Sequence, residues 1–251
     1  MKKISATIIT YNEEKNIERC LKSLQNVADE IIIVDSFSID NTLLICNKYN
    51  CKIFKNKFEG YGKQKQLATS YTTNDLVLSL DADEELSPSL IKSILEVKKN
   101  GSREYYSFNR LNFYCNQPIH FCGWYPDRQI RFFNKNFIDW NTNIVHETIE
   151  KNTNYNSEHL KGDLNHYTCE TIEEHYQKEM KYAALGAEKI INKNKSISAI
   201  TPHIRGGFKF FKTYILKLGI LDGYYGYTIS KTLMKSTFHK YSLARKRMRH
   251  K

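Results

Sequence analysis

Four acids crowd five consecutive positions of this chain: Asp81, Asp83, Glu84 and Glu85 end the stretch LVLSLDADEEL, which begins as an apolar strand. Mutually repelling carboxylates at the end of a buried strand suit a hard divalent cation. Mg²⁺ and Mn²⁺ take oxygen ligands and keep positions open for phosphate oxygens and water. The D-x-D spacing of Asp81-Ala82-Asp83 could hold such an ion against a diphosphate; the plain alternative is a solvated strand end running into a helix. Two other strand ends are also polar, Thr10-Tyr11-Asn12-Glu13 and Asp35-Ser36. No G-x-G-x-x-G follows the first strand and no G-x-x-x-x-G-K-[ST] occurs, which argues against a dinucleotide fold and a P-loop. A diphosphate without glycines to cradle it on backbone amides needs another neutraliser, and a cation on these acids supplies one.

These groups converge only if the strands run side by side in one direction. SATIIT (5–10), EIIIVD (30–35), CKIF (51–54) and DLVLSL (75–80) read as strands. Between them come helical patterns: Ile17, Leu21 and Leu24 on one face, a segment capped by Asp40-Asn41-Thr42, and one near 62–71. The β-branched run EIIIVD marks a strand covered on both faces. Ser87-Pro88 caps and opens the next helix, with Glu84 and Glu85 as helix-start acids ahead of it. Such alternation implies right-handed crossovers and a mainly parallel, Rossmann-like sheet flanked by helices, an α/β fold whose ligands collect at the carboxyl ends of the strands. Beyond Gly101 the pattern changes. YYSFNRLNFY reads as an edge or antiparallel strand, aromatic-rich loops and short strands continue to about residue 166, and 170–193 and 206–249 read as helical, the latter interrupted by glycines.

Composition narrows the class. At 251 residues with 41% apolar content, the chain can bury a substantial core. Six cysteines without a C-x-x-C pair argue against zinc and suit reduced thiols. The N-terminal apolar stretch is too short for a signal peptide, and no apolar run reaches the roughly 20 residues of a membrane span, so a cytoplasmic protein is expected. Residues 202–251 hold 12 Lys/Arg against one acid, Asp222, which accounts for the whole net charge of +11. An anionic partner is therefore expected at the C-terminal end.

In order along the chain, ATIITYNEEKNIERCLKSL, EIIIVDSFSIDNT, EGYGKQKQLA and LVLSLDADEEL resemble the nucleotide-sugar half of a family 2 glycosyltransferase with the GT-A fold. GWYPDRQIRFFNK, VHETIE, LNHYTCETIEEHYQKEMKYAALGAE and YILKLGILDGYYGY resemble the bacterial lipopolysaccharide-core β-1,4-glucosyltransferases. The resemblance implies a GT-A domain over residues 1–165 and a helical, basic extension over 166–251. It implies that Thr10, Tyr11 and Glu13 line the uridine site, that Asp35 accepts from the uracil ring with Ser36 beside it, and that Lys65 faces the donor. Gln66 stands where the family commonly has Asn. Asp81 and Ala82 belong to the donor site, and Asp81, Asp83 and His166 to a Mg²⁺ or Mn²⁺ site, with Asp83 the direct ligand. Arg128 and Arg131 are candidate phosphate binders; Trp124 and Tyr125 are candidate sugar-stacking surfaces. An inverting transferase also needs a base for the acceptor hydroxyl. The family's acidic motif corresponds to His146-Glu147, giving Glu147 as the base and Asp127 as its rival.

The expected reaction moves a hexose, glucose from UDP-glucose, onto an inner-core heptose of a lipid A-core acceptor. Another hexose, a protein or polyprenyl-phosphate acceptor, or a catalytically silent nucleotide-sugar binder are the alternatives. Nothing in the chain resembles a nucleic-acid-binding fold. FKFFKTYILKLGIL mixes apolar residues with lysines as an interfacial helix does, so peripheral attachment to the anionic inner face of the cytoplasmic membrane is expected through the basic C-terminus.

Overall fold

The computed structural model describes residues 1–141, 149, 156–192 and 197–249. Its compact units interleave along the chain: residues 1–110 with 127–166 form one, and 111–126 with 167–251 the other. The sequence suggests a single boundary near residue 165; the segment 111–126 instead belongs with the C-terminal helices.

The first unit opens with β1 (Ile4–Thr10), α1 (Ile17–Leu24), β2 (Glu30–Asp35), α2 (Thr42–Lys48), β3 (Lys52–Lys55), α3 (Tyr61–Ser70) and β4 (Leu76–Asp81). Its four strands lie in the order β3-β2-β1-β4, all parallel, as the alternation predicts. Ile32, Ile33 and Val34 of β2 are fully buried, which explains the unbroken β-branched run. Ile17, Cys20, Leu21 and Leu24 bury one stripe of α1, packing with Ile4, Ala6, Ile8, Leu78 and Leu80 in the main core. Register fixes the site: Thr10 of β1 lies opposite Asp35 of β2, and Ile9 opposite Asp81 of β4. Three polar strand ends thus share one edge.

Beyond β4 the sheet turns antiparallel. The strand β5 (Glu84–Leu86) precedes α4 (Pro88–Asn100), and β6 (Tyr105–Tyr114), β7 (Gln117–Pro118), β8 (Asp127–Asn134) and β9 (Ser157–Cys169) follow. The full order is β3-β2-β1-β4-β8-β6-β9-β5, with β7 on β6. Ser87 accepts from the Leu90 N–H at 3.3 Å and Pro88 opens the helix, as the sequence predicts. Glu84 and Glu85 are not helix-start acids, however. They form β5, whose partner β9 places His166 opposite Glu84. Gly162 of β9 is in a left-handed conformation at φ +102°, and a Cβ there would lie 2.3 Å from the Leu90 nitrogen. Only glycine lets β9 pass the start of α4.

In the second unit α5 (Ile172–Ile191), capped by Thr171 on the Glu174 N–H, and α6 (Thr201–Phe211) both pack on α7 (Gly223–Arg249). A π turn (Lys212–Leu216) and a 3₁₀ turn (Gly219–Asp222) join α6 to α7. Tyr114, Ile119, Cys122, Cys169 and Ile229 form the core beside them. No described helix is long and apolar enough to cross a membrane.

Candidate active site

At the carboxyl end of β4, both oxygens of Asp81 are held by cations. Lys65 Nζ donates to Oδ1 at 2.8 Å and Arg131 Nη2 to Oδ2 at 2.7 Å. Lys65 and Arg131 are 1% and 4% exposed, and burial of that degree requires paired charge. The indole of Trp140 lies under both, 4.7 Å from Lys65 Nζ and 5.4 Å from Arg131 Cζ, adding cation–π attraction. Burial alone would raise the Asp81 carboxyl, but Arg131 and Lys65 override it and hold the group well below the usual carboxylate range. Asp81 is ionised and fixed.

Charges of alternating sign continue from there. Glu84, fully buried, accepts the Asp81 N–H on Oε2 at 2.9 Å, while Oε1 lies 3.3 Å from Arg131 Nη2 and 3.6 Å from Arg110 Nη1. Arg110 in turn donates Nε and Nη2 to Asp127 Oδ2, each at 2.8 Å, and Gln129 donates to Asp127 Oδ1 at 2.7 Å. Three cations and three carboxylates neutralise one another along this line.

Asp83 stands apart from it. Its Oδ2 is 3.2 Å from His166 Nε2, and both side chains keep some exposure. The β5–β9 register brings them together, since His166 sits across from the residue after Asp83. No three of His, Cys, Asp and Glu converge as a closed metal cage among the described residues. A carboxylate and an imidazole fit an ion that keeps its remaining positions for phosphate oxygens and water. Asp81 does not complete that set, because its oxygens face Lys65 and Arg131. Glu13, half-buried, is pushed up by burial, against a hydrogen bond from Asn16, with Asp83, Asp40 and Asp81 adding to the rise. The negative field of the acids therefore reaches the end of β1.

The sequence profile described as "Glycosyl transferase family 2" matches residues 5–161, more than half of the chain. The chain is a family 2 glycosyltransferase. Its α/β sheet, with four parallel strands of which β2 and β4 end on Asp35 and Asp81, and with a helical C-terminal part, is the GT-A fold. An uncharacterised glycosyltransferase of Rickettsia bellii is 30% identical over 241 residues, covering 91% of this chain and 81% of that one. The lipopolysaccharide core biosynthesis glycosyltransferase LpsC of Rhizobium meliloti is 34% identical over 99 residues, 38% of this chain and 36% of its own. Among solved structures, a glucosyl-3-phosphoglycerate synthase of Mycobacterium tuberculosis, in complex with Mn²⁺, UDP and glucosyl-3-phosphoglycerate, is 20% identical with a TM-score of 0.37 over 44% of each chain.

Within this glycosyltransferase the remaining candidate residues have varied surroundings. Asp35 is fully buried and accepts from Thr10 Oγ1 at 3.1 Å, from the Ser38 N–H at 2.9 Å and from the Ser38 hydroxyl. Ser36 donates its N–H to the Thr10 carbonyl and accepts from Gln64 Nε2 at 3.1 Å, which ties β1, β2 and α3 together. Tyr11 is exposed, as is Phe37, which adopts a left-handed conformation at φ 63°. Ala82 is buried and Arg128 exposed. Arg131, a candidate phosphate binder by sequence, is instead buried against Asp81 and Glu84. Trp124 packs edge-on to Tyr114 and His175, each at 5.9 Å, in the second unit. Glu147 and His146 lie outside the described residues. Sequence reasoning missed Arg110, Glu84 and Trp140. A charged residue inside an aromatic strand, as in FNRLNFY, is the signal that could have found Arg110, because it must be paired when the strand is buried.

Proposed function

We propose that this glycosyltransferase transfers a hexose, glucose from UDP-glucose, with inversion onto an inner-core heptose of a lipopolysaccharide or lipooligosaccharide acceptor. The observation that carries the reading is the division of labour at residues 81 and 83. One carboxylate is locked by buried cations, and the other faces an imidazole at the shared strand edge. In this reading Asp83 and His166 would hold Mg²⁺ or Mn²⁺, a cation that would supply charge neutralisation at the donor's diphosphate. Asp81, fixed by Lys65 and Arg131, lines the donor with Ala82. Thr10, Tyr11, Glu13, Asp35 and Ser36 hold the uridine, and Arg128 is exposed and able to meet an acceptor phosphate. The partial match to LpsC, over 38% of this chain, is what supports a lipopolysaccharide-core acceptor.

The base removes the proton of the acceptor hydroxyl as its oxygen attacks the anomeric carbon and the bond to UDP breaks. Asp127 already holds Arg110 and Gln129 and would have to release them to take that proton, so we assign the base to Glu147. Residues 166–251 present the acceptor, and their positive charge holds the enzyme to the anionic inner face of the cytoplasmic membrane. Incubation with a panel of UDP-sugars, following UDP release with and without truncated core oligosaccharide, tests the reading. UDP-glucose with the heptose-terminated acceptor is expected to give the largest acceptor-dependent release. Glu147→Gln is expected to lower turnover by about 10²-fold or more with UDP binding unchanged. Full turnover of that variant would move the base elsewhere, and release from no sugar with any core acceptor would contradict the function.

A further inference from the structure

The second unit leaves much apolar surface uncovered in one stretch. Of the 23 large apolar side chains that stand exposed among the described residues, 11 lie within residues 200–227. On α6 and the turn that follows, Ile200, Ile204, Phe208, Phe211 and Ile215 recur at steps of four, four, three and four, which is one face of a helix. The opposite face is spoken for: Pro202, Gly206 and Thr213 are buried, and a Cβ on Gly206 would lie 3.2 Å from the Met234 carbonyl of α7. The stripe continues onto the tip, where Leu216, Leu218, Ile220 and Leu221 are all exposed to solvent.

This tip is held firmly. Asp222 accepts the N–H groups of His120 and Phe121 at 3.1 and 2.9 Å, and the Cys122 N–H donates to the Lys217 carbonyl at 3.0 Å. Gly226 of α7 passes so close to the Gly219 carbonyl that a Cβ would lie 1.8 Å from it. A fixed edge of aliphatic and aromatic groups is thus presented without a core to cover it. Cations stand among them: Arg205, Lys212 and Lys217 are exposed. The one acid of residues 202–251 is Asp222, whose carboxylate is taken up by backbone N–H groups.

We infer that the exposed stripe of α6 and the Leu216–Leu221 tip form a preformed wedge that inserts into the interface of an anionic lipid bilayer. This rests on the membrane attachment proposed above and assigns its anchoring to apolar insertion at α6, with the basic end of α7 adding attraction. Apolar residues interleaved with cations and free of acids match that environment, where side chains enter the acyl boundary and ammonium groups stay among anionic headgroups. A protein surface would need its own acids in register with three separated cations, and nothing on this face selects for them.

Sedimentation of the full chain with phosphatidylglycerol-containing vesicles, at low and high salt, tests this. The wild-type chain should bind, and should keep part of its binding at high salt. The pair Phe208→Ser with Leu221→Ser should weaken binding by at least about tenfold at both salt concentrations, because two large apolar groups no longer leave water on insertion. Its thermal melt should match wild type. If that pair does not fold, Leu221→Trp keeps the test open: its fluorescence should shift blue with vesicles and be quenched by brominated lipid. Binding by the serine pair equal to that of wild type, or an indole in Leu221→Trp that stays in water, would overturn the wedge and leave the basic tail as the anchor. No wild-type binding to any vesicle would overturn the membrane attachment itself. A concentration-dependent dimer lost in the serine pair, with no vesicle binding, would reassign the face to a second copy of the chain.

Discussion

Two carboxylates one residue apart hold opposite positions here. Asp81 is spent on Lys65 and Arg131, whereas Asp83 pairs with His166 among the described residues. Removing the charge of Asp81 leaves two buried cations short of a counter-ion, so Asp81→Asn should destabilise the fold by roughly 3–5 kcal/mol in denaturant or thermal unfolding. Asp83→Asn removes no buried partner and should change stability by less than about 1 kcal/mol, while lowering turnover. Equal melts for the two variants would contradict this division. That Asp81 must be held by a partner was legible, because an acid ending an apolar strand conflicts with burial unless something binds it. The role of Glu84 was not legible. An acid ahead of Ser87-Pro88 looks locally like a helix-start residue, and only its pairing across β5–β9 with a strand about 80 residues away makes it a buried hub.

At the scale of elements, the parallel strands β1 to β4 were readable because each carries its own signal, a β-branched or apolar run followed by a helical period. Short strands were also readable up to about residue 166, but the bounds and pairing of β5, β8 and β9 were not, since these rest on long-range register with no local trace. Glu30 at the start of β2 shows how such elements are tied. Its carboxylate accepts from the Ser5 hydroxyl of β1 and from the Thr73 N–H at 2.6 Å and hydroxyl at 2.8 Å, and pairs with Lys52 of β3 at 2.9 Å. Burial would raise this group, but Ser5, Lys52 and Thr73 together lower it from 4.5 to about 2. A depressed folded value means that its stabilisation is complete above about pH 4.5 and lost as the pH falls towards 2. Glu30→Gln should therefore cost about 1–3 kcal/mol at neutral pH. The variant should also show a shallower loss of stability through that acid window in urea titrations. Wild-type and variant curves that stay parallel from pH 7 to pH 2 would contradict the tie.

For the whole molecule, charge and chemistry are separated along the chain. The family 2 match covers residues 5–161, which are nearly neutral in sum with their neighbours, and the positive excess lies in residues 202–251. That separation was plain from the sequence, while the interleaving of 111–126 with the C-terminal helices was not, because compactness depends on contacts that no linear pattern records. The central claim of the account joins distant parts of the first unit: in the proposed function the turn between β4 and β5 supplies Asp83, β9 supplies His166, and the two would hold a divalent cation against the donor's diphosphate. Titration calorimetry of Mn²⁺ into the protein with and without UDP tests it most directly. Mn²⁺ binding should tighten strongly in the presence of UDP. That UDP-dependent binding should fall by about 10²-fold or more in both Asp83→Asn and His166→Ala, a direct ligand being worth at least as much as the outer-shell partner of one. Unaltered Mn²⁺–UDP binding in either folded variant would contradict the claim.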